Sequence, residues 1–476
     1  MLSRTVTIFR RFDYIFLIFL FVLSRLLVRI SGIEFESIAH RWCYQHLPPN
    51  LLEISLVKSL WYLHMQPPFF NFLLGIGYKL PGDGALFFNL LFLLFSLGSI
   101  LCFYASLKKI GLPLPICFLA ALLLMASPSL IQFENILFYS VFIFFLLFVM
   151  LFALCSFSRT RNAIRWFKYL CLFSFAALLL MLTRSLFHLV WFLTLTIGFY
   201  VLAHRESFDH LKRKYFFFAL TPPICVILLL LLKNYFLFGV FQTSSWFGMN
   251  LSRAALEGIS YEKLEELHHS GRISHFPLIV KKYKFPFHFL DKYGMKLGDI
   301  GGTTQHPSLF WYLNSIEYIH ISKNLAKDSL AIIMTDPTVY LKTVYRSSKV
   351  FFDPTTEHAR SFPDQYRYNL LWKPLYYPFH SNLLQILVYF YVVLVSGVYT
   401  ICGLVGEKFR VLPDKYTAFY TFVTLVYFFF AATMFEFGEN NRFRFEVLPL
   451  VLFGLPWSYR AFQDFVSVLS YKKLGI

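Results

Sequence analysis

Charge is what this chain most conspicuously lacks. Asp, Glu, Lys and Arg together make up 15% of its 476 residues, against 57% hydrophobic. Its mean hydropathy is +0.58, and many of its apolar runs are long enough to cross a hydrocarbon core of about 30 Å, which excludes a soluble all-helical protein. Acidic residues are the scarcer sign, 26 against 44 basic, for a net charge of +18. Much of that surplus sits in short loops between apolar runs, so it reads as orientation charge and not as a nucleic-acid surface. The seven cysteines show no CxxC or other metal-ligand spacing. Cys102, Cys117, Cys155, Cys171, Cys225 and Cys402 fall in apolar segments and read as small buried hydrophobes. There is no Walker A loop, no GxGxxG and no HExxH, so neither a nucleotide-driven enzyme nor a zinc hydrolase is supported. No repeat of fixed period and no low-complexity linker is present.

What the chain does have is aromatic and apolar: 20% of it is Phe, Tyr or Trp, with 60 Phe. Phenylalanine-rich runs suit lipid-facing helices, and Tyr and Trp near their ends suit the interface. Arg4, Arg10 and Arg11 precede an apolar run with no small-residue cleavage site, which predicts an uncleaved first helix. Spans of sufficient length fall at about 13–31, 85–107, 113–131, 136–157, 167–183, 186–203, 216–237, 383–405, 416–435 and 446–462. These predict an all-α polytopic membrane protein of about ten transmembrane helices. Residues 1–238 form an amino-terminal membrane module, 239–380 a mainly helical extracytoplasmic domain and 381–476 the last membrane helices.

The short run at 69–80, after Pro67 and Pro68, decides the topology. At about 1.5 Å per residue it reaches roughly 18 Å, too short to span. If it stays on one side, Arg4, Arg10 and Arg11, then Lys108 and Lys109, Arg159 to Lys168, Arg205 to Lys214, Lys408 to Lys415, and Lys472 and Lys473 all become cytoplasmic together. Its Asn71, Gly75 and Lys79 recur every four residues, as on an interfacial helix. The other face then receives the 31–84 loop, the turn at Glu134, the 239–380 segment and the loop FEFGENNRFRFE.

The chemistry-bearing residues collect on that face. Glu34 and Glu36 follow the first helix, where partial desolvation raises a carboxylate toward a general base's range; as exposed carboxylates they equally cap the helix. Glu134 sits in a very short turn at membrane depth, where a carboxylate is costly and is paired, functional or a helix cap. Arg184 occupies a second such turn. Arg442 and Arg444, beside Glu439, Asn440 and Asn441, form an anion-binding candidate against the alternative of headgroup snorkelling. The 239–380 segment, with SSWFGMNLS and the sequon Asn250-Leu251-Ser252, has aromatic and amide groups that suit either sugar binding or its own core.

Taken in order, an acid after the first helix, His64-x-Gln66-Pro67-Pro68-x-x-Asn71 in the first external loop, Glu134 in the second, and the Arg pair before a late helix resemble the GT-C glycosyltransferases. The likeness is to glycosyltransferase family 39, the protein O-mannosyltransferases and aminoarabinose transferases, in its bacterial branch. It implies a GT-C-like helical bundle whose first external loop carries juxtamembrane helices. It implies a polyprenyl- or dolichyl-phosphate sugar as donor, and a glycan, lipid or protein as extracytoplasmic acceptor, in the bacterial inner membrane or the endoplasmic reticulum. By resemblance, Glu36 or Glu34 deprotonates the acceptor. Glu134 positions donor or acceptor, in some members through a divalent metal, Mg or Mn, and Arg442 or Arg444 holds the lipid phosphate. Arg184, costly near the bilayer without an anion, finds a fitting one in a lipid phosphate independently of the resemblance. The acid is usually Asp in that family, and the Glu-Phe-Glu here leaves Glu34 and Glu36 both open. A transporter or lipid flippase is the competing class, and a noncatalytic scaffold a third; paired halves and helices broken at mid-membrane, which transporters show, are not evident in the sequence.

Overall fold

The structure, a computed structural model, describes residues 2–37, 46–160, 162–204, 210–283, 314, 316–355, 382–405 and 414–470. Among them every regular element is helical apart from one isolated parallel bridge, Glu36 to Ile136. In chain order these are α1 (Leu2–Ile30), α2 (Pro49–Trp61), α3 (Phe69–Tyr78), α4 (Ala85–Lys109), α5 (Leu114–Met125), α6 (Pro128–Glu134), α7 (Ser140–Phe157), α8 (Ala163–Thr183) and α9 (Leu189–His204). There follow α10 (His210–Phe238), α11 (Phe247–Leu256), α12 (Tyr261–His269), α13 (Phe276–Tyr283), α14 (Ile316–Thr335), α15 (Pro337–Phe352), α16 (Asn382–Val405), α17 (Lys415–Phe435) and α18 (Asn440–Ser470).

Each of the ten segments expected to span is helical, but fewer than ten qualify as spans. Among the described residues α4, α7, α8, α10, α16 and α17 are long and apolar enough to cross a membrane, and α5 with α6 makes a seventh if that pair, bent by 53°, counts as one. The shortfall has local causes. The 113–131 segment breaks at Ser127 because Pro128 opens a new first turn and cannot extend the helix before it. Helix α9 has 16 residues, α1 carries Asp13, Arg25 and Arg29 along its apolar stretch, and α18 begins NNRFRFE and holds Pro449 and Pro456. Exposed leucines and phenylalanines on the outer faces, among them Leu86, Leu90 and Leu94 of α4 and Leu229 and Phe236 of α10, give the bundle a lipid-facing surface. The chain is an all-α polytopic membrane protein.

Helix α7 is the centre of the bundle, buried on nearly every face between α4, α8 and α18. Two ion pairs join elements at one end: Lys108 of α4 with Asp13 of α1 (2.5 Å), and Arg159 after α7 with Asp414 before α17 (3.0 Å). These basic residues belong to the clusters expected on a common side; Arg161, Lys408, Arg410, Lys472 and Lys473 lie outside the described residues. At the other end sit the 46–84 loop, α11 to α15 and the start of α18. Residues 284–313 and 356–381 of the expected external domain are also outside the described residues. Gly248 lets α11 lie directly on α14, since a Cβ there would strike the Ser322 backbone. Helix α15 packs on α17 and α18, with Tyr340 donating to Met434 O (2.5 Å) and Ser347 to Glu436 O (3.1 Å).

Helix α3 has 10 residues, but of its polar stripe only Lys79, just past the helix end, is exposed. Asn71 is buried, its Oδ1 accepting from Leu47 N (2.7 Å), and Gly75 lies under Leu56, while Phe72 and Ile76 face outward. Small and amide side chains here make the packing face, because they allow close backbone approach, and the larger apolar ones are left for lipid. Gly84 ends the loop at φ +69°, where a Cβ would run into the Gly77 backbone.

Candidate functional site

The segment before the double proline, Tyr62 to Met65, is neither helix nor strand and is largely buried, so its backbone groups require partners. Side chains from distant elements supply them. Asn314 Oδ1 accepts from His64 N (2.9 Å) and Met65 N (3.2 Å), and its Nδ2 donates to Tyr62 O (3.0 Å). Lys233 donates to Leu63 O (2.8 Å), Ser244 to Met65 O (2.5 Å) and Ser245 N to His64 O (2.9 Å). The His64 ring is fully buried, with Nδ1 2.8 Å from Ser245 Oγ and its face against Phe238. Burial pushes its pKa down to about 4, so it is neutral. His64, Pro67, Pro68 and Asn71 therefore shape this loop, while Gln66 turns into a cavity of about 350 Å3.

Four elements meet at Tyr139, the residue before α7. Its ring touches Phe70 of α3 and Phe138, and its hydroxyl accepts from Arg442 Nη1 (3.2 Å). Arg184 and Arg442 both lie near the faces of Tyr139 and Phe443. Both line the 350 Å3 cavity, yet both are already met by carboxylates: Arg184 by Glu446, and Arg442 by Glu439 (2.6 Å) and Glu446 (3.7 Å). Glu446 also accepts from Ser140 Oγ (3.1 Å). Across the cavity Glu436, buried at the end of α17, is paired with Arg253 (3.0 Å). Burial raises its pKa and the Arg253 guanidinium opposes that.

Arg444 has a different setting. It is 7% exposed and, among the described residues, makes no contact ion pair, the Asp353 carboxylate acting on it only at longer range; it donates to Asp353 O (2.8 Å), and its Nε has no hydrogen-bond partner. It lines a second cavity, about 460 Å3, bounded by Ser129 and Thr355 near Arg444 and by Leu448, Val451, Leu452, Leu455 and Pro456 along α18. From Arg444 to Pro456 is about 18 Å of helix. Leu123, Leu384 and Leu455 on the walls are exposed, so this apolar groove opens on the lipid-facing surface.

Glu134 lines neither cavity. It is 1% exposed and gripped in a fork by Arg25, whose Nε and Nη2 lie 2.7 and 2.9 Å from its two oxygens. A divalent metal does not fit there: the cation beside that carboxylate is a guanidinium, and among the described residues no cluster of three or more His, Cys, Asp or Glu side chains is arranged to hold one. Glu34 is exposed. Glu36 is half-buried and fixed to the second external turn, its N donating to Asn135 O (2.7 Å) and its O accepting from Leu137 N (3.3 Å). The bridge brings the acid after α1 to within a few residues of Glu134 and Tyr139.

Several residues of this region had escaped sequence reasoning. Arg25 carried a usable signal, since a lone cation inside an apolar run needs a partner, and Glu436 and Glu446 lie within the loop already singled out. Tyr139, His188 and Trp246 carried none that separates them from ordinary aromatic packing. The sequon at Asn250 is enclosed: Asn250 lines the smaller cavity from α11, and Ser252 is buried with its hydroxyl donated to Met249 O (2.9 Å).

No protein-family description matches the chain, and no curated protein does. Among solved structures it is similar to ArnT from Cupriavidus metallidurans bound to undecaprenyl phosphate, with 15% identity, 88% of this chain and 77% of that chain covered, and a TM-score of 0.35. That overlap is too loose to pair individual residues.

Proposed function

We propose that the protein transfers a sugar from a polyprenyl-phosphate carrier to an acceptor on the extracytoplasmic side, as a glycosyltransferase of GT-C type. The observation that carries this reading is Arg444, a buried cation with no contact ion pair among the described residues and only the Asp353 carboxylate at longer range, at the polar end of an apolar groove that opens toward lipid. A desolvated guanidinium is costly without an anion, and its planar fork matches phosphate oxygens. The groove below it suits an isoprenoid tail. The ordered external-loop motifs that resemble the GT-C enzymes add the reaction class.

In this reading the acceptor oxygen attacks the anomeric carbon and loses its proton to a carboxylate. The new carbon–oxygen bond forms as the bond to the carrier phosphate breaks, and the departing phosphate takes the electron pair. Arg444 stabilises that developing charge. Of the two open candidates for the base, Glu36 is favoured over Glu34, because its backbone is pinned to the 135–137 turn while Glu34 is exposed. Arg184 and Arg442, already met by Glu446 and Glu439, organise the cavity beside the reacting groups, and Glu134 ties the second turn to α1.

The test is transfer in proteoliposomes from radiolabelled polyprenyl-phosphate sugars to a panel of glycan, lipid and peptide acceptors. The reading expects labelled product that falls at least tenfold in Glu36→Gln and in Arg444→Ala. No product from any donor, in protein shown to be folded, would refute it.

A further inference from the structure

The 350 Å3 cavity has a lining of distinct character. Three amide side chains, Gln66 from the external loop, Gln242 from the segment after α10 and Asn250 from α11, line it, and none makes a hydrogen bond to the protein among the described residues. Trp246 contributes an aromatic wall, and Glu436 a carboxylate. Glu436 Oε1 is engaged by Arg253 and by Phe437 N, whereas no hydrogen bond to Oε2 is present among the described residues. Gln242 is exposed and Gln66 and Asn250 are half-buried, so their donors and acceptors stay open to an entering ligand, and convergent polar groups beside an aromatic wall are what a small-molecule site requires.

Charge selects among ligands. Around the cavity three guanidiniums, Arg184, Arg253 and Arg442, are matched by three carboxylates, Glu436, Glu439 and Glu446, in the pairs already described. His188, which also lines the cavity, is held below its ordinary pKa by burial and is neutral. No net charge is left to attract an anion or a cation. This is the opposite of the groove at Arg444. Donor and acceptor amides, one hydrogen-bond-accepting carboxylate, an aromatic face and a volume of about 350 Å3 together match a ligand that is uncharged, rich in hydroxyls and apolar on one side.

We propose that this cavity is the acceptor subsite and that it recognises a neutral carbohydrate, with Glu436 accepting a hydrogen bond from a sugar hydroxyl and Gln66, Gln242 and Asn250 binding the others. The assignment rests on the glycosyltransferase reading for the word acceptor, but the binding of a neutral sugar does not depend on turnover. The reacting hydroxyl is then presented from the cavity toward Tyr139, and the sugar phosphate approaches from the Arg444 side of α18.

The experiment is saturation-transfer NMR on the full chain in lipid nanodiscs, with lactose, maltose and N,N'-diacetylchitobiose as neutral probes and glucose 6-phosphate and glucosamine as charged ones. At least one neutral disaccharide is expected to bind, about tenfold or more tightly than either charged sugar. Glu436→Gln and Asn250→Ala are each expected to weaken that binding about tenfold, while Arg444→Ala leaves it unchanged. Asn250→Ala touches no ion pair, so it keeps the test sound if Glu436→Gln unfolds. Absence of neutral-sugar binding, tighter binding of a charged probe, or binding unaltered in Asn250→Ala would each overturn the proposal. Transfer retained in both cavity variants would sink the subsite and spare the enzyme, whereas sugar binding without transfer from any donor would do the reverse.

Discussion

Glu134 provides a sharp separation of structure from chemistry. Its two oxygens are held by Arg25 at 2.7 and 2.9 Å, and Arg25 also donates to Met125 O (2.7 Å) and lies over the Phe21 ring (4.5 Å). Two unit charges about 4 Å apart interact by about 4 kcal/mol at an effective dielectric near 20. Removing one member of a buried pair costs about 3–5 kcal/mol, because the other stays desolvated without compensation. Glu134→Gln should therefore lose roughly that much stability, as should Arg25→Met. The double variant should regain most of it, since neither charge of the pair remains, giving a coupling of about 5 kcal/mol or more. The assay is thermal unfolding of all four proteins in detergent, followed by tryptophan fluorescence, with transfer measured in parallel. A Glu134→Gln protein as stable as wild type but unable to transfer sugar would refute the structural assignment and return Glu134 to the reaction.

Acid should loosen the loop around His64. The ring's pKa is about 4 when folded, below the ordinary value near 6.5, so the unfolded chain binds more protons between these limits. The stabilising contribution is fully present above about pH 6.5 and is lost as pH falls toward 4, by on the order of 3 kcal/mol. Unfolding midpoints compared at neutral and acid pH should show a smaller drop for His64→Gln than for wild type. Gly84→Ala places a Cβ against the Gly77 backbone at positive φ and should cost more than about 1 kcal/mol, read as a lower unfolding midpoint.

The helical membrane class and the positions of the apolar helices were legible in the sequence, because apolar run length is a direct physical signal, whereas α2 and α11 to α15 were not placed. Span number was less so. A Pro at 128 bends one expected span, and polar residues inside α1 and α18 leave those helices short of a continuous apolar length. The polar stripe of α3 misled because periodicity identifies a distinct face without saying whether water or protein covers it; Asn71 and Gly75 face the protein. At the site, residue type announced that Glu134, Arg184, Arg442 and Arg444 required partners. Only the fold shows that Arg25, Glu446 and Glu439 satisfy three of them and that Arg444 has a backbone carbonyl and a longer-range carboxylate but no contact ion pair. His64 and Gln66, two residues apart, separate for the same reason: one is walled in by Ser245 and Phe238, the other opens on a cavity.

On the proposed function, the groove along α18 holds a lipid whose phosphate sits at Arg444. Equilibrium binding of a polyprenyl phosphate and of the matching polyprenol to the full chain in nanodiscs, for wild type and Arg444→Ala, tests it most directly. The substitution is expected to weaken binding of the phosphate lipid by about tenfold or more and to leave that of the alcohol unaffected. Equal loss for both lipids, or no loss for either, would contradict it.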